Sequence, residues 1–293
     1  MMPISDQTAQ CRRAMRFIFL ITTLLCLCGV ARAEFEQIQI PTDNKPLQAV
    51  LYRPPGEGPF PVIVALAGCE GLRKESGTIR ATWDEWGQRL SAAGFGVLFP
   101  DSEASRSQSP QCRDKLPHRD KGAKVSPDRE RVADVRAARD WLQQQAFARK
   151  DRIALLGWDS GAIAVLWAVR PNVEPDDDRP DFRSAAVFYP GCQRLNDTAW
   201  SARVPTLILI GALDDLTPAK TCEQMVAGAR GRSAGAVIVK YRGARHAFDR
   251  DLLRVRHKSG KSVPWKEPGR AARNANAEAR ADALKRIPEW FAR

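Results

Sequence analysis

Three acid-base side chains each follow an apolar run. Asp159 sits in Gly157-Trp158-Asp159-Ser160-Gly161 after the run that starts at Arg152, Asp214 sits in Gly211-Ala212-Leu213-Asp214-Asp215 after Thr206 to Ile210, and His246 sits in Gly243-Ala244-Arg245-His246 after Ala236 to Tyr241. A carboxylate beside a histidine lets a neutral imidazole take a proton from water or from a nucleophile. The first turn has a further property. Its apolar run stops at Gly157, and beyond the Gly-x-Asp-x-Gly turn a small, apolar segment continues from Ala162 to Val169. That pattern reads as strand, sharp turn and buried helix, with glycines flanking a side chain held above the strand end. A buried βα unit whose glycines only permit close packing would carry the same letters.

The remaining elements must bring these three groups together. Residues 34–52 alternate apolar and polar on either side of Pro41-Thr42-Asp43-Asn44-Lys45, which predicts an antiparallel hairpin at a sheet edge. Pro61 to Ala67 lacks alternation, as a strand covered on both faces does. A capping box of Thr82 with Glu85 predicts a helix burying Trp83, Trp86, Leu90 and Ala93, followed by a strand from Phe95 to Phe99. Residues 100–126 read as a long loop, with Ser126 and Pro127 opening the next helix. Further strands are expected at 185–189, 206–210 and 236–241, with a helix from Pro218. Ala277, Ala281, Leu284 and Ile287 mark a C-terminal helix that Pro288 ends or kinks. Strands alternating with helices predict an α/β fold, a mostly parallel sheet flanked by helices. Chemistry in such sheets gathers at the carboxyl ends of the strands, where all three groups fall.

Arg12, Arg13 and Arg16 precede the apolar run Phe17 to Val30, which ends in Ala31-Arg32-Ala33. This predicts a signal peptide over 1–33, a single domain over 34–293, and a periplasmic or secreted protein. The apolar run is shorter than the roughly 20 residues of a spanning helix, so no stable membrane insertion is expected after cleavage. The formal charge of +12 then falls by the four arginines and one aspartate of the leader. The remaining basic residues lack interleaved aromatics, which argues against nucleic acid as a partner. Cys11, Cys26 and Cys28 leave with the leader, and Cys69, Cys112, Cys192 and Cys222 remain. An even set in an oxidising compartment predicts two disulfides, with three connectivities open. The only histidines after the leader besides His246 are His118 and His257, both in expected loops.

The elbow GWDSGA (157–162), the acid turn GALDDLTPAKTC (211–222) and the histidine turn YRGARHAFD (241–249), with YPGC (189–192) and AGCEGL (67–72), resemble the dienelactone hydrolase family of α/β-hydrolases, especially its exported bacterial members. The resemblance covers nearly all of residues 35–293. It implies the α/β-hydrolase fold, a small-molecule substrate, hydrolysis of ester or lactone bonds, and no cofactor or metal. It further implies that Asp214 orients His246 as general base, with Asp215 as the fallback, and that the backbone N–H groups of Ser160 and Cys69 form an oxyanion hole. The strand order it implies puts Cys69 with Cys112, and Cys192 with Cys222, on loops after adjacent strands, so those are the expected disulfides.

Three positions depart from the family pattern. Asp159 stands where Ser or Cys is usual, Glu70 brings a negative charge to the oxyanion loop, and Asp101-Ser102-Glu103 replaces an aromatic pattern. Carboxylate nucleophiles suit saturated carbon, so an enzyme opening alkyl halides or epoxides through Asp159 stays open. So does a binding protein that keeps the scaffold without turnover. Ser160 as a shifted nucleophile is disfavoured, because its side chain is expected to point away from the elbow tip.

Overall fold

The computed structural model describes residues 35–43, 45–109, 112, 125–173, 175, 177–250 and 270–293. The described residues from Phe35 to Arg293 make one compact unit. The leader expected over 1–33 lies outside the described residues, as do His118 and His257.

Eight strands form one sheet: β1 (Phe35–Ile40), β2 (Leu47–Tyr52), β3 (Phe60–Leu66), β4 (Gly96–Pro100), β5 (Ala148–Trp158), β6 (Ala185–Phe188), β7 (Thr206–Gly211) and β8 (Ala236–Tyr241). Their order across the sheet is β1-β2-β4-β3-β5-β6-β7-β8. β1 and β2 pair antiparallel, as do β2 and β4, and every other pairing is parallel. The chain is therefore an α/β-hydrolase fold, with its N-terminal hairpin as the antiparallel edge. β3 and β5 are neighbours although β4 lies between them in sequence. The crevice beyond their carboxyl ends is the switch point at which open α/β sheets bind ligands.

The helices are α1 (Ala81–Ala92), α2 (Ser102–Ser105), α3 (Glu130–Leu142), α4 (Ser160–Ala168), α5 (Gln193–Asp197), α6 (Ala219–Gly228) and α7 (Arg270–Ala292). α4 is apolar on all sides because it is buried on nearly all sides. The core beneath the elbow is aromatic. Trp158 lies between Phe99 and Phe188, near-parallel to both rings, with Trp83 and Trp86 tilted against it.

Helix starts and phases differ from the sequence expectations. The Thr82–Glu85 capping box does not form; α1 begins after Arg80 without a side-chain cap, and Glu85 instead receives Arg89 and Arg280. α3 begins at Glu130, because the Ser126 hydroxyl donates to Asp128 while its N–H goes to the Glu130 carboxylate. Short helices α2 and α5 interrupt stretches that carry too few residues for a periodic signal. α7 continues through Pro288 to Ala292, and its buried face is Ala279, Ala283, Ile287 and Phe291, leaving Ala277 and Ala281 exposed. Two alanine rows two positions apart along the helix differ only in what they meet in the fold. Among the described residues, no helix is long and apolar enough to cross a membrane.

The phase of α7 is testable. Ala283 is fully buried, so Ala283→Leu overpacks the interface and should cost about 1 to 3 kcal/mol in urea unfolding. Ala281→Leu, on the exposed face, should stay within about 0.5 kcal/mol of wild type.

Candidate active site

Asp159 stands at the junction of β5 and α4 with φ 51° and ψ −115°, a conformation that non-glycine residues rarely adopt. Close backbone packing enforces it. A Cβ on Gly157 would lie 2.6 Å from the Gly161 carbonyl oxygen, and one on Gly161 would strike the carbonyls of Leu66 and Ala67 at the end of β3. Holding Asp159 there costs about 1 to 3 kcal/mol, which the surrounding sheet must supply. Its N–H donates to the Phe188 carbonyl at 3.1 Å and its carbonyl accepts the Ile163 N–H at 3.0 Å, so both sides of the turn are fixed.

The Asp159 side chain reaches across to the loop after β3. Its Oδ2 accepts the Cys69 N–H at 3.0 Å. One of the two backbone donors expected to receive a reaction oxyanion is thus engaged by the elbow carboxylate itself. Ser160, the source of the other, turns its hydroxyl to Arg131 Nη1 at 3.3 Å, away from the tip.

His246 Nδ1 lies 2.9 Å from Asp214 Oδ2. Asp214 is buried, and its orientation is fixed from the other side by the N–H groups of Leu216 and Thr217, at 3.0 and 2.8 Å, on Oδ1. The Thr217 hydroxyl donates to Asp214 Oδ2 at 2.8 Å and sits 3.2 Å from His246 Nδ1. With a carboxylate as its partner, Nδ1 carries the proton, and Nε2 is the ring nitrogen available for proton transfer. Asp215 is exposed and faces Arg245 at 3.9 Å, so Asp214 meets the imidazole and Asp215 does not.

Tyr189 packs on the imidazole with ring centroids 4.5 Å apart. The phenol in turn donates to Asp249 Oδ1 at 2.7 Å, while Asp249 Oδ2 accepts the indole N–H groups of Trp86 and Trp158 at 3.0 and 2.9 Å. This buried carboxylate joins the histidine turn to the aromatic core under the elbow. Burial and the Asp249 charge push the Tyr189 phenol well up, so it stays neutral.

Glu70 does not stand near the hole as a bare charge. Its Oε1 pairs with Arg250 Nη2 at 2.5 Å, and Arg250 lies over the Trp83 ring. Cys69 is bonded to Cys112, and Cys192 to Cys222. Among the described residues, the group with metal-ligand spacing is Cys69, Glu70 and Cys112. Its two sulfurs are consumed in a disulfide and offer no thiolate.

His246 is titrated by its neighbours. Burial disfavours the imidazolium, but the hydrogen bond that Nδ1–H donates to Asp214 and the charges of Asp214 and Asp159 outweigh it, so the pKa rises above the ordinary 6.5. The raised pKa reduces the fraction of neutral base at a given pH.

Several site residues carry no signal of their own in the sequence. Thr217 and Asp249 lie in the acid and histidine turns, which marked their places without their roles, while Arg250 and Arg131 are not distinguished locally from surface polar residues. Tyr189 lies in the YPGC segment, which marked the place without its role.

The fold and this constellation define an α/β-hydrolase. The dienelactone hydrolase family model matches residues 47–293, and the chain belongs to that family. Its relatives include a protein of Escherichia coli O157:H7 named "Putative carboxymethylenebutenolidase", 27% identical over 247 residues and covering 80% of this chain and 83% of its own length. A Bradyrhizobium protein named "Probable 2-oxo-3-(5-oxofuran-2-ylidene)propanoate lactonase" is 24% identical over 224 residues, covering 72% and 82%. The crystal structure of a dienelactone hydrolase from Anabaena variabilis superposes with a TM-score of 0.58 at 15% identity, covering 89% of this chain and 98% of its own.

Because the Asp159 charge helps raise the His246 pKa, Asp159→Asn should lower it. Histidine titration followed by NMR should place the wild-type midpoint above 6.5 and the variant midpoint below the wild-type one. An unchanged midpoint would mean that Asp159 does not act on the imidazole.

Proposed function

We propose that this chain is an exported small-molecule hydrolase in which Asp159 is the nucleophile and forms a covalent ester with its substrate. The observation that carries the reading is the hydrogen bond from the Cys69 N–H to Asp159 Oδ2. With Oδ2 held by a donor, Oδ1 is the oxygen that attacks. At a saturated electrophilic carbon, such as that of an alkyl halide or an epoxide, the Oδ1–carbon bond forms as the opposite bond breaks with its electron pair: a halide departs as the anion, whereas an epoxide oxygen stays attached and takes a proton from solvent. Oδ2 becomes the carbonyl oxygen of the new ester, already bonded to the Cys69 N–H.

His246 then removes a proton from water through Nε2, and the hydroxide adds to the Asp159 carboxyl carbon. Negative charge develops on Oδ2, where Cys69 and Ser160 present their N–H groups. Collapse expels an alkoxide, which takes the proton from the imidazolium and leaves as an alcohol, and the Asp159 carboxylic acid that remains gives its proton to solvent, restoring the carboxylate. Asp214 stabilises the imidazolium in the interval.

Ester or lactone hydrolysis is the second reading, supported by family membership and by the Asp214–His246 pair. In the wild-type chain it meets two obstacles. A substrate carbonyl must displace Oδ2 from the Cys69 N–H and develop charge beside a carboxylate, and attack by Asp159 on an ester carbonyl gives a high-energy mixed anhydride. Export is supported by the N-terminal pattern and by two disulfides, which persist in oxidising compartments.

Oxygen-18 water provides the test. A screen of haloalkanes, epoxides, esters and lactones finds the substrate class, and single turnover with enzyme in excess should then place the heavy oxygen in the Asp159 carboxylate, read by peptide mass. Label in the product alone, or full turnover in Asp159→Asn, would refute the covalent route. His246→Gln should accumulate the alkyl-enzyme, with hydrolysis slowed by about 100- to 10,000-fold. For aryl esters the expected order is reversed: Asp159→Ser should exceed wild type by about 10- to 100-fold, because serine regains a hydroxyl for His246 and frees the oxyanion hole.

A further inference from the structure

Arg131 is a buried charged group beside the site to which the mechanism above gives no part. It projects from α3 and is 3% exposed. Its Nη1 donates to the Ala67 carbonyl at 3.0 Å and to the Ser160 hydroxyl at 3.3 Å, and its Nη2 meets Glu103 Oε1 at 3.2 Å. Ala67 lies two residues before Cys69, and Ser160 directly follows Asp159. One guanidinium therefore touches both chain segments that face the Asp159 carboxylate.

The position is demanding. The Ala67 carbonyl is pressed against Gly161, where a Cβ would lie 2.5 Å from its oxygen. A buried carbonyl in such a place needs a donor, and the donor fixes how its peptide is turned. The orientation of that peptide sets the course of Gly68 and hence the direction of the Cys69 N–H. Burying Arg131 with Glu103 gains little stability over an apolar pair of the same volume. What the pair supplies is a planar fork of donors at a fixed place, which neither an apolar residue nor lysine reproduces.

We propose that Arg131 is a positioning residue for the reaction at Asp159, tying the Ala67 carbonyl to the Ser160 hydroxyl and thereby setting the Cys69 and Ser160 N–H groups at the separation an oxyanion requires. This rests on the reading that those two N–H groups form the hole. Arg131 touches no reacting atom; it acts through the two backbones it joins.

The test uses the Arg131→Gln/Glu103→Gln double variant, which removes both buried charges and leaves neither unpaired. Two readouts are needed. The first is the NMR shift and solvent exchange of the Cys69 amide in the resting protein, which requires no substrate. The second is kcat and KM on the substrate found in the screen. The double variant should move the Cys69 amide upfield, speed its exchange, and lower kcat by about 10- to 100-fold with KM within about threefold. Arg131→Lys, which reaches one acceptor but not both, should fall between wild type and the double variant. Ser160→Ala deletes one end of the tie without unpairing a charge, and its amide change should have the same sign at smaller size. That variant decides the matter if the double variant does not fold. An unchanged Cys69 amide overturns the proposal whatever happens to turnover. A displaced amide with unchanged kcat overturns instead the reading of the hole on which the proposal rests.

Discussion

The site depends on one close approach of backbone to backbone. The first turn of α4 packs directly on the end of β3, with Gly161 against the carbonyls of Leu66 and Ala67. That contact makes the elbow sharp, holds Asp159 at positive φ, and brings the loop after β3 within hydrogen-bonding range of its side chain. It is possible only because β3 and β5 are neighbours in the sheet, so the strand order and the chemistry are one constraint seen at two scales. The packing around it resists relaxation. Trp158, directly before the elbow, is held between Phe99 and Phe188, and its indole N–H is fixed by Asp249.

Placing a carboxylate at this tip changes the electrostatics of everything around it. A neutral hydroxyl or thiol would leave the Cys69 N–H to the substrate, whereas Asp159 takes that donor in the resting state. The same charge adds to that of Asp214 in holding the His246 proton. Glu70 would worsen the excess of negative charge, but Arg250 neutralises it beside the Trp83 ring. Among the described residues no arginine or lysine pairs with the Asp159 carboxylate, whose charge is met by the Cys69 N–H and acts on His246.

The sheet, the elbow and the pairing partners Asp214 and His246 were legible because they rest on strong local signals. Uniformly apolar runs such as Thr206 to Ile210 mark covered strands, and Gly157 and Gly161 mark the turn where only glycine fits. The helix ends were less legible, since Glu85 found a tertiary partner in Arg280, while Ser126 bonded locally to Asp128 and Glu130 ahead of the helix. In α7 the rows starting at Ala277 and Ala279 are equally plausible in sequence, and only the wall they meet decides between them. Arg131 and Asp249 lay beyond reach for a deeper reason. Their partners are Ala67 and Ser160 for the one, and Trp86, Trp158 and Tyr189 for the other, and no spacing rule connects residues so far apart along the chain.

The two disulfides have a bearing on how the molecule breathes. Cys69 and Cys112 follow β3 and β4, while Cys192 and Cys222 follow β6 and β7, so covalent hoops lie on both sides of β5 at the same edge of the sheet. Strand ends and the loops beyond them are ordinarily where a fold opens first. In this chain those ends are clasped in pairs, and the elbow sits between the clasps. Slow local opening is therefore steered toward the opposite, amino-terminal edge of the sheet, leaving the Asp159 carboxylate on the part of the protein least free to fray.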